Sequence, residues 1–410
     1  RQLAFEQTTG TWVELPVETE ELKKKYTGKI SGVHETPDYE YEMPEEVDKR
    51  NYVVNLEFPV ENVKGQIPMM LSTIAGNITL LGEIKLLDVS FPEAYLEDFK
   101  GPSFGVEGLR DMLDVPERPL VCNMTKPDTG FPPEVGADLF YKAALGGCDI
   151  VKDDELLGDP NYCKVEDRVS AYMEKADQVK EETGEETIYT VNVTDRSSKA
   201  IEKAQKAVDM GVNGLMINTF TAGFSTAREI AEDPSLDVPL LGHLDFSGAV
   251  YESPKIGVSS PLYLGKLQRL AGIDMAIVPS PYGKFPFLPK KYFQVHFAFN
   301  SDWKHINRTW SMPAAGMHPG IVPITINDIG HDCIISAGGA VHGHPMGSVA
   351  GGKALRQAVD ASVEGVPIKE YAEDHEELKA AIEKWGIATE DTDMYLEDVL
   401  KVKERKTETE

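Results

Sequence analysis

Short apolar segments alternate with amphipathic stretches from residue 105 to residue 358. This alternation is typical of parallel strands joined by helices, because strands that are buried on both faces are apolar throughout. The predicted strands are Leu120–Met124, Asp149–Lys152, Ile188–Val193, Gly214–Asn218, Pro239–His243, Met275–Pro279, Ser311–Ala315 and Cys333–Ala337. Amphipathic stretches that predict helices between them include Glu134–Leu145, Val165–Thr183, Ser198–Asp209 and Tyr263–Ala271. Eight such units over about 250 residues predict a closed (β/α)8 TIM barrel. An open doubly wound sheet is the alternative, and no G-x-G-x-x-G sequence follows the first strand to favour it.

The regions on either side of the predicted barrel differ from it. Residues 1–104 mix strands and helices without regular alternation, which predicts an N-terminal α+β domain, ferredoxin-like in type. Its predicted elements are a helix end and glycine turn at Phe5–Trp12, strands at Asn51–Pro59 and Ile84–Val89, and a helix at Val63–Gly76. An opening strand and most of a first helix are not recognisable, so we interpret the sequence as a fragment. Residues 359–410 predict a charged helical tail with a solvated end.

Composition narrows the classes of partner. Lysine and arginine number 41 and aspartate and glutamate 68, which gives a net charge of −27. A chain this acidic is not suited to bind nucleic acid or an anionic membrane through its general field. It shows no run of 18 apolar residues and no signal peptide. Its four cysteines form no C-x-x-C pair, which indicates reduced thiols and a cytoplasmic protein.

The most informative chemistry lies at the end of the second predicted strand, in Gly146–Glu155. Side chains alternate along a strand, so Lys152 and Asp154 are expected on the same side, with Glu155 where the strand gives way to a loop. Carboxylate oxygens are the ligands that Mg²⁺ prefers. A lysine cannot ligate a metal as an ammonium, but it becomes an anionic oxygen ligand after it takes up CO2 as a carbamate. The alternative is a solvated charge run.

Polar residues follow other predicted strands, at the end where barrel enzymes place their sites. They are Lys126 and Asp128, Asn192 and Asp195, Asn218, His243 and Asp245, and Gly316. A segment rich in proline and glycine, Pro279–Lys284, predicts a lid. Backbone amides around Gly316, Gly338 and Gly339 suit a phosphate. Two alternatives stay open here: Gly338 and Gly339 as a tight turn, and His243 as a core histidine with satisfied nitrogens. His342 and His344, two positions apart, resemble half a metal site, but no third ligand is found, so local packing or a helix start is favoured.

Taken in order, these residues resemble the large subunit of RuBisCO, ribulose-1,5-bisphosphate carboxylase, along nearly the whole chain. Thr9–Trp12 resembles the first motif of that family's amino domain, and Gly76–Asn77 resembles the second. Gly147–Glu155 resembles the family's metal motif, and Gly339–Gly347 resembles the turn after its last strand. The last two motifs are the specific ones.

The resemblance implies a role for each matching residue. Lys152 takes the place of the carbamylated lysine, with Asp154 and Glu155 as the Mg²⁺ ligands. Lys126 matches the lysine that handles the enolisation proton, and Asn77 matches an asparagine that reaches the metal-bound substrate. The remaining matches are Lys284 at the tip of a mobile loop, Glu6 as its carboxylate partner, and Thr11, Trp12, Gly316, Gly338 and Gly339 on the phosphate side. His243 and Asp245, at the end of the fifth predicted strand, are further candidates for the substrate side without being family matches. Because the amino domain of one RuBisCO subunit completes the barrel site of another, the resemblance also implies at least a homodimer.

Four departures separate this chain from a carboxylase. Asp128 stands where the family has a second lysine, and Asp245-Phe246 replaces a histidine–arginine pair. Ile277 replaces a histidine and Ala314 replaces a serine. A phenylalanine cannot replace the bidentate phosphate contact of an arginine, so one of the two phosphate sites is expected to be lost. The chain is therefore most similar to the RuBisCO-like proteins of form IV, which do not fix CO2.

The sequence thus predicts a Mg²⁺ enzyme that enolises or isomerises a phosphorylated keto-sugar or keto-acid. One branch of the RuBisCO-like proteins, the 2,3-diketo-5-methylthiopentyl-1-phosphate enolases, is thought to use a lysine where this chain has Asn77, which argues against that activity. A second branch acts on 3-oxo-isoapionate 4-phosphate as a decarboxylase or transcarboxylase, and it stays open. A true carboxylase and a non-catalytic relic are the remaining alternatives.

Overall fold

The structure is a computed structural model that describes residues 2–13, 15–285 and 287–388. The chain separates into two units. The first consists of the residues up to Phe99 together with Val250–Ser259, and the second begins at Lys100 and includes the rest of the chain. No helix in the described part of the chain is both long and apolar enough to cross a membrane.

The first unit contains two small sheets. Strands β1 (Lys29–Thr36) and β2 (Asn51–Glu57) are antiparallel, and β3 (Lys85–Leu86) pairs in parallel with β9 (Gly257–Val258). Its helices are Gln2–Phe5, Glu20–Tyr26, Ile67–Ala75 and Glu93–Leu96, with 3-10 turns at Val60–Asn62 and Asn77–Leu81. The α+β class is confirmed.

Some local predictions for the first unit need correction. The predicted strand Ile84–Val89 is only two residues long. The predicted helix Val63–Gly76 begins at Ile67 instead, because Pro68 lacks the N–H of a helix interior and is tolerated only in a first turn. Strand β1 was not expected, since Gly32 interrupts a segment whose residues are mostly exposed.

Eight parallel strands form a barrel in the second unit. They are β4 (Leu120–Met124), β5 (Ile150–Lys152), β6 (Ile188–Asn192), β7 (Leu215–Asn218), β8 (Leu240–His243), β10 (Met275–Pro279), β11 (Trp310–Ala314) and β12 (Ile334–Ala337). Their order in the sheet is β11-β10-β8-β7-β6-β5-β4-β12, and a bridge between Ser311 and Cys333 joins the two ends. The predicted (β/α)8 barrel is therefore confirmed, and the open doubly wound sheet is wrong.

Helices follow the strands and cover the barrel. Their bounds are Gly105–Leu113, Pro133–Leu145, Val165–Thr183, Ser197–Asp209, Thr219–Ala222, Phe224–Glu232, Leu267–Leu270, Pro289–Asn300, Val322–Ile329, Gly339–His342, Ser348–Glu364, Ile368–Tyr371 and Glu376–Trp385. A π-turn at Pro261–Lys266 precedes Leu267–Leu270, and a 3-10 turn at Pro319–Ile321 precedes Val322–Ile329. A further short helix, Gly248–Tyr251, lies at the division between the units. The helix Val165–Thr183 shows why they form: its buried residues recur at helical spacing, and it ends at Gly184, whose φ of 77° suits glycine. The helices Ile368–Tyr371 and Glu376–Trp385 lie within the range predicted as a helical tail. The predicted solvated end of that tail lies outside the described residues.

The barrel core is made by inward side chains from the strands. Leu120 and Cys122 of β4, Ile150 of β5 and Ile188 of β6 belong to one buried cluster with matching residues from the other strands. All four cysteines are free and buried, as the sequence predicted. The polar residues at the ends of the same strands lie above this apolar layer, and they form the candidate site.

Candidate active site

A lysine and two acidic residues lie at the carboxyl end of β5. Lys152 ends the strand and is 0% exposed. Its Nζ donates a 2.7 Å hydrogen bond to the backbone oxygen of Asp153 and lies 3.5 Å from Oε2 of Glu155. Asp154 is also buried, and its Oδ1 accepts a 3.1 Å hydrogen bond from the amide of Leu156. The turn after β5 therefore holds a buried amine next to a carboxylate.

Lys126 reaches the same site from the segment after β4. Its Nζ lies 2.5 Å from Oδ2 of Asp154 and also contacts Oδ1 of Asp128. Burial acts to lower the pKa of Lys126, but the hydrogen bonds to Asp128 and Asp154 outweigh burial and raise that pKa above its ordinary value. The bond to Lys126 lowers the pKa of Asp128, whereas burial raises the pKa of Asp154. The arrangement is an ammonium held between two carboxylates.

His243 links Glu155 to Asp245 at the end of β8. Its Nε2 lies 3.2 Å from Oε2 of Glu155, and its Nδ1 lies 3.2 Å from Oδ1 of Asp245. Burial acts to raise the pKa of Glu155, but His243 and Lys152 outweigh it and lower that pKa to about 2. Glu155 is therefore an anion at neutral pH. His243 is buried and both of its ring nitrogens have partners, as in the alternative of a core histidine, and those partners are two of the predicted site residues.

Two asparagines fix the backbone of the acidic turn. Nδ2 of Asn192 donates to the carbonyl oxygen of Glu155 at 3.2 Å, and Nδ2 of Asn218 donates to the same oxygen at 3.0 Å. These residues end β6 and β7, so three neighbouring strands determine where Glu155 sits. Their sequence position had marked them as site candidates, and the structure gives them a positioning contact.

The sequence interpretation missed the role of Asp153. Its side chain is buried on the other side of β5 from the barrel interior, where Oδ2 accepts hydrogen bonds from Arg168 at 3.0 and 3.2 Å. The hydroxyl of Tyr189 and the amide of Asn192 also donate to this carboxylate, each at 2.9 Å. An arginine on the otherwise apolar face of the helix Val165–Thr183 was the available signal, because such a residue needs a buried acidic partner.

Lys284, the lysine of the predicted lid, is bound through its backbone to the segment that follows β11. The amide of Lys284 donates a 2.7 Å hydrogen bond to the carbonyl of Ala315, next to Gly316. A side chain on Gly316 would lie 2.7 Å from the nitrogen of Lys284, and the φ of Gly316 is +98°, so glycine is required at this contact. The ammonium of Lys284 lies over the ring of Phe285, 5.2 Å from its centroid, and not against the acidic turn.

The two glycines after β12 differ in their surroundings. A Cβ on Gly338 would lie 3.0 Å from Cε of Lys126 and 3.0 Å from the carbonyl oxygen of Met124, whereas a Cβ on Gly339 would meet no atom within 4 Å. Gly338 therefore leaves the space that the Lys126 side chain occupies. Gly339 starts the short helix Gly339–His342, so the tight turn that the sequence allowed is present as well.

Four predicted site residues belong to the first unit. Trp12 is 85% exposed, and Asn77 is an exposed residue at the start of its 3-10 turn. Glu6 and Thr11 are partly buried. The side-chain amide of Gln7 donates to the carbonyls of Ser72 and Thr73 at 3.0 and 3.1 Å, which joins the segment around Glu6 to the helix that precedes Asn77. The two resembling motifs are thus tied together within this unit.

His342 and His344 are packing residues, the alternative that the sequence favoured. Nε2 of His342 lies 3.0 Å from Oδ1 of Asn123, and Nε2 of His344 lies 2.9 Å from the carbonyl of Glu377. In the part of the chain that the structure describes, no group of three histidine, cysteine, aspartate or glutamate side chains could hold a metal.

The donor set at β5 nevertheless fits the ion that the sequence predicts. Asp154 and Glu155 supply two anionic oxygens, and the buried amine of Lys152 lies beside one of them. A carbamate on Lys152 would add a third anionic oxygen donor, so a hard cation would meet oxygen ligands only.

The departures from a carboxylase are apolar or acidic in the structure too. Ile277 and Ala314 belong to the buried apolar cluster of the barrel, so neither supplies a hydrogen-bond donor. Phe246 is 64% exposed and adopts a left-handed φ of 69°. The carboxylate of Asp128 contacts Lys126. A second phosphate would therefore meet neither a guanidinium nor a hydroxyl at these positions.

The chain matches known proteins over nearly its whole length. The model of the ribulose bisphosphate carboxylase large chain catalytic domain matches residues 105–285 and 290–385, and the model of its N-terminal domain matches residues 1–95. A ribulose bisphosphate carboxylase-like protein of Archaeoglobus fulgidus is 46% identical over 93% of this chain and 88% of its own length. A 2,3-diketo-5-methylthiopentyl-1-phosphate enolase of Geobacillus thermodenitrificans is 37% identical over 94% of this chain and 93% of its own.

Solved structures show the same similarity. A rubisco-like protein from Alicyclobacillus acidocaldarius matches with a TM-score of 0.87 and 35% identity, over 94% of this chain and 95% of that one. An octameric RuBisCO from Pyrococcus horikoshii matches with a TM-score of 0.85 and 31% identity, over 95% and 89% of the two chains. A dimeric archaeal RuBisCO from Hyperthermus butylicus matches with a TM-score of 0.84 and 33% identity, over 94% and 91%.

Proposed function

The chain belongs to the RuBisCO large-chain family, and from this premise we propose that it is a Mg²⁺-dependent enzyme that enolises a phosphorylated ketone without fixing CO2. The observation that carries the proposal is the placement of Lys126. Its ammonium contacts Asp154, and the next residue, Glu155, forms an ion pair with Lys152. A proton-carrying amine at the edge of an acidic oxygen site is the arrangement that proton transfer next to a carbonyl requires.

Asp154, Glu155 and a carbamylated Lys152 would hold the Mg²⁺. When bound, the ion would polarise the substrate carbonyl as a Lewis acid. His243 and the two asparagines keep Glu155 in place, and Arg168 does so indirectly through Asp153. The proton transfers of the reaction are proposed to depend on other side chains of the site.

Lys126 is the proposed proton carrier. Its side chain is 31% exposed, so Nζ can meet a substrate from the open end of the barrel. Asp128 and Asp154 stabilise its ammonium form, which would give a proton to the carbonyl oxygen as the enol forms. The amine left on Lys126 would take the proton from the neighbouring carbon, which returns Lys126 to its ammonium form. Lys284 is proposed to close over the substrate from the loop anchored at Ala315.

The substrate is proposed to carry a single phosphate. Glycine amides at Gly316, Gly338 and Gly339 would bind it, because glycine lets a backbone approach an anion closely. The other end of the site offers Asp245, Phe246 and Ile277 where a bisphosphate would need cationic or polar partners. This loss argues against ribulose bisphosphate as substrate.

A second subunit is proposed to complete the site. Glu6, Thr11, Trp12 and Asn77 would come from the first unit of a partner chain, which makes the functional unit at least a homodimer. The large exposed surface of Trp12 supports this assignment, since an indole is rarely left in water without a partner.

The direct test is an enolase assay with a panel of phosphorylated ketones that includes 2,3-diketo-5-methylthiopentyl-1-phosphate, followed by the absorbance of the enol. Wild-type protein is expected to turn over a phosphorylated ketone, and Lys126→Met is expected to lose at least about a hundredfold in kcat. Asn77 decides between substrates: an Asn77→Lys variant that gains activity on this diketone would assign the native enzyme to another ketone.

Three further results would count against the proposal. Incorporation of labelled CO2 into ribulose 1,5-bisphosphate would show that the chain is a carboxylase. Unchanged turnover in Lys126→Met would remove the assigned proton carrier. A chain that binds Mg²⁺ but turns over none of a panel of phosphorylated ketones would favour the non-catalytic alternative.

A further inference from the structure

Thr190 lies next to Lys152 in the barrel, and its hydroxyl has no partner. Strands β5 and β6 are parallel and pair Lys152 with Thr190, so their side chains point to the same side of the sheet. Thr190 is 0% exposed, and its Oγ1 makes no hydrogen bond within the described residues. Buried hydroxyls seldom lack a hydrogen-bond partner in folded proteins, so we expect Thr190 to bind an acceptor.

The neighbours of Lys152 in the same row make Thr190 the relevant donor. On the other side, β4 pairs Lys152 with Met124, whose thioether sulfur cannot donate a hydrogen bond. Beyond Thr190, a Cβ on Gly214 would lie 2.9 Å from the Cγ2 methyl of Thr190. The methyl group therefore faces β7, which leaves the hydroxyl available to donate a hydrogen bond on the side of Lys152.

We propose that Thr190 is a positioning residue that donates a hydrogen bond to a carbamate on Lys152. This inference rests on the proposed function and deepens it. An uncharged Lys152 Nζ attacks the carbon of CO2, and an N–C bond forms as the electron pair of one C–O π bond moves onto oxygen. The nitrogen then releases a proton to solvent. The product is an anionic oxygen acceptor that the lysine amine lacks, and a hydrogen bond to it is charge-assisted.

The test measures the carbamate itself by 13C NMR, on the full chain with 13C-labelled bicarbonate and MgCl2. Thr190→Val keeps the shape of the side chain but removes the donor. It is expected to raise the CO2 concentration needed for half-maximal carbamate formation about tenfold, the effect of losing one hydrogen bond to a charged group. Thr190→Ser keeps the hydroxyl and should behave like wild type.

Ser311→Ala is the matched control, because Ser311 also has a buried hydroxyl without a hydrogen-bond partner in the described part of the chain but lies on β11, four strands away from β6. If Thr190→Val forms carbamate at the wild-type CO2 concentration, the inference is wrong. If Ser311→Ala shows the same loss as Thr190→Val, the effect is general and the inference is also wrong. Thr190→Ala carries the same prediction should the valine variant not fold. A wild-type protein that forms no carbamate would instead contradict the proposed function.

Discussion

Arg168 is expected to hold the acidic turn together, and Arg168→Met tests this. The guanidinium and the Asp153 carboxylate are both 0% exposed and form a 3.0 Å ion pair. Arg168 also donates to the backbone carbonyls of Cys163 at 2.6 Å and Gly158 at 2.8 Å. Methionine keeps the length and the apolar stem of the side chain while it removes all of these donors.

The expected loss in the free energy of unfolding follows from the Asp153 carboxylate, which stays buried after Arg168 is replaced. Breaking a buried ion pair by removing one partner typically costs about 3–5 kcal/mol, because the remaining charge is buried without compensation. Asp153 keeps the hydroxyl of Tyr189 and the amide of Asn192, so the lower end, about 3 kcal/mol, is expected. Adding Asp153→Asn to Arg168→Met should recover part of this loss, since the uncompensated charge is then gone.

The assay is urea unfolding followed by circular dichroism, with Lys180→Met as the matched control. Lys180 lies on the same helix and forms a 2.6 Å ion pair with Glu186, but the two side chains are 56% and 37% exposed. Exposed pairs contribute about 0–1 kcal/mol. Titration of each folded variant with Mg²⁺ should also show weaker binding for Arg168→Met, because Asp154 and Glu155 follow directly after Asp153.

Two results would refute this reasoning. The first is an Arg168→Met variant no less stable than Lys180→Met. The second is a stability loss without any change in Mg²⁺ affinity, which would separate the buried pair from the acidic turn.

Three further predictions concern other parts of the barrel. Gly338→Ala should displace Lys126, whose Cε would lie 3.0 Å from the new Cβ, and lower kcat by roughly ten- to a hundredfold. The thermal midpoint should fall as well, because the new Cβ would also lie 3.0 Å from the carbonyl oxygen of Met124. Gly158→Ala, whose Cβ would lie in open space, is the control, and equal activities of the two variants would contradict the assignment. Burial lowers the pKa of His318 to about 4 from 6.5, because the folded protein disfavours the charged imidazole. The stability linked to His318 is therefore fully present above pH 6.5 and is lost as the pH falls towards 4. The loss is at most ~3 kcal/mol, and His318→Asn should lose less stability than wild type between pH 7.5 and 5 in urea titrations; an equal loss would assign the pH dependence to other groups. The four buried thiols should resist an alkylating reagent in the native protein and react after denaturation, as counted by mass spectrometry, and rapid native labelling would contradict their burial.

The sequence was sufficient for the barrel because its strands are buried on both faces. Short, mostly apolar segments such as Leu120–Met124 and Met275–Pro279 suit strands of a parallel sheet that is covered on both faces, and both strands have the predicted bounds. The polar residues that end these strands could also be identified, because the carboxyl ends of parallel strands lie together. Lys126, Lys152 and His243 were found in this way.

Direction within the charged turn was harder to predict. Asp153 and Asp154 are adjacent and chemically identical, and only the alternation of the strand sends one to Arg168 and the other to Lys126. The free hydroxyl of Thr190 depends on strand register, which a single sequence does not encode locally. The space that Gly338 leaves for Lys126 likewise arises from residues more than 200 positions apart in the chain.

The central claim is that Lys152, Asp154 and Glu155 form a carbamate-dependent Mg²⁺ site at which a ketone is enolised. The most direct measurement is the exchange of deuterium next to the carbonyl of a phosphorylated ketone with solvent, with Mg²⁺ and bicarbonate supplied together or singly. The account predicts rapid exchange only when both are present and none in Lys152→Met. Exchange at the same rate without Mg²⁺, or undiminished exchange in Lys152→Met, would contradict it.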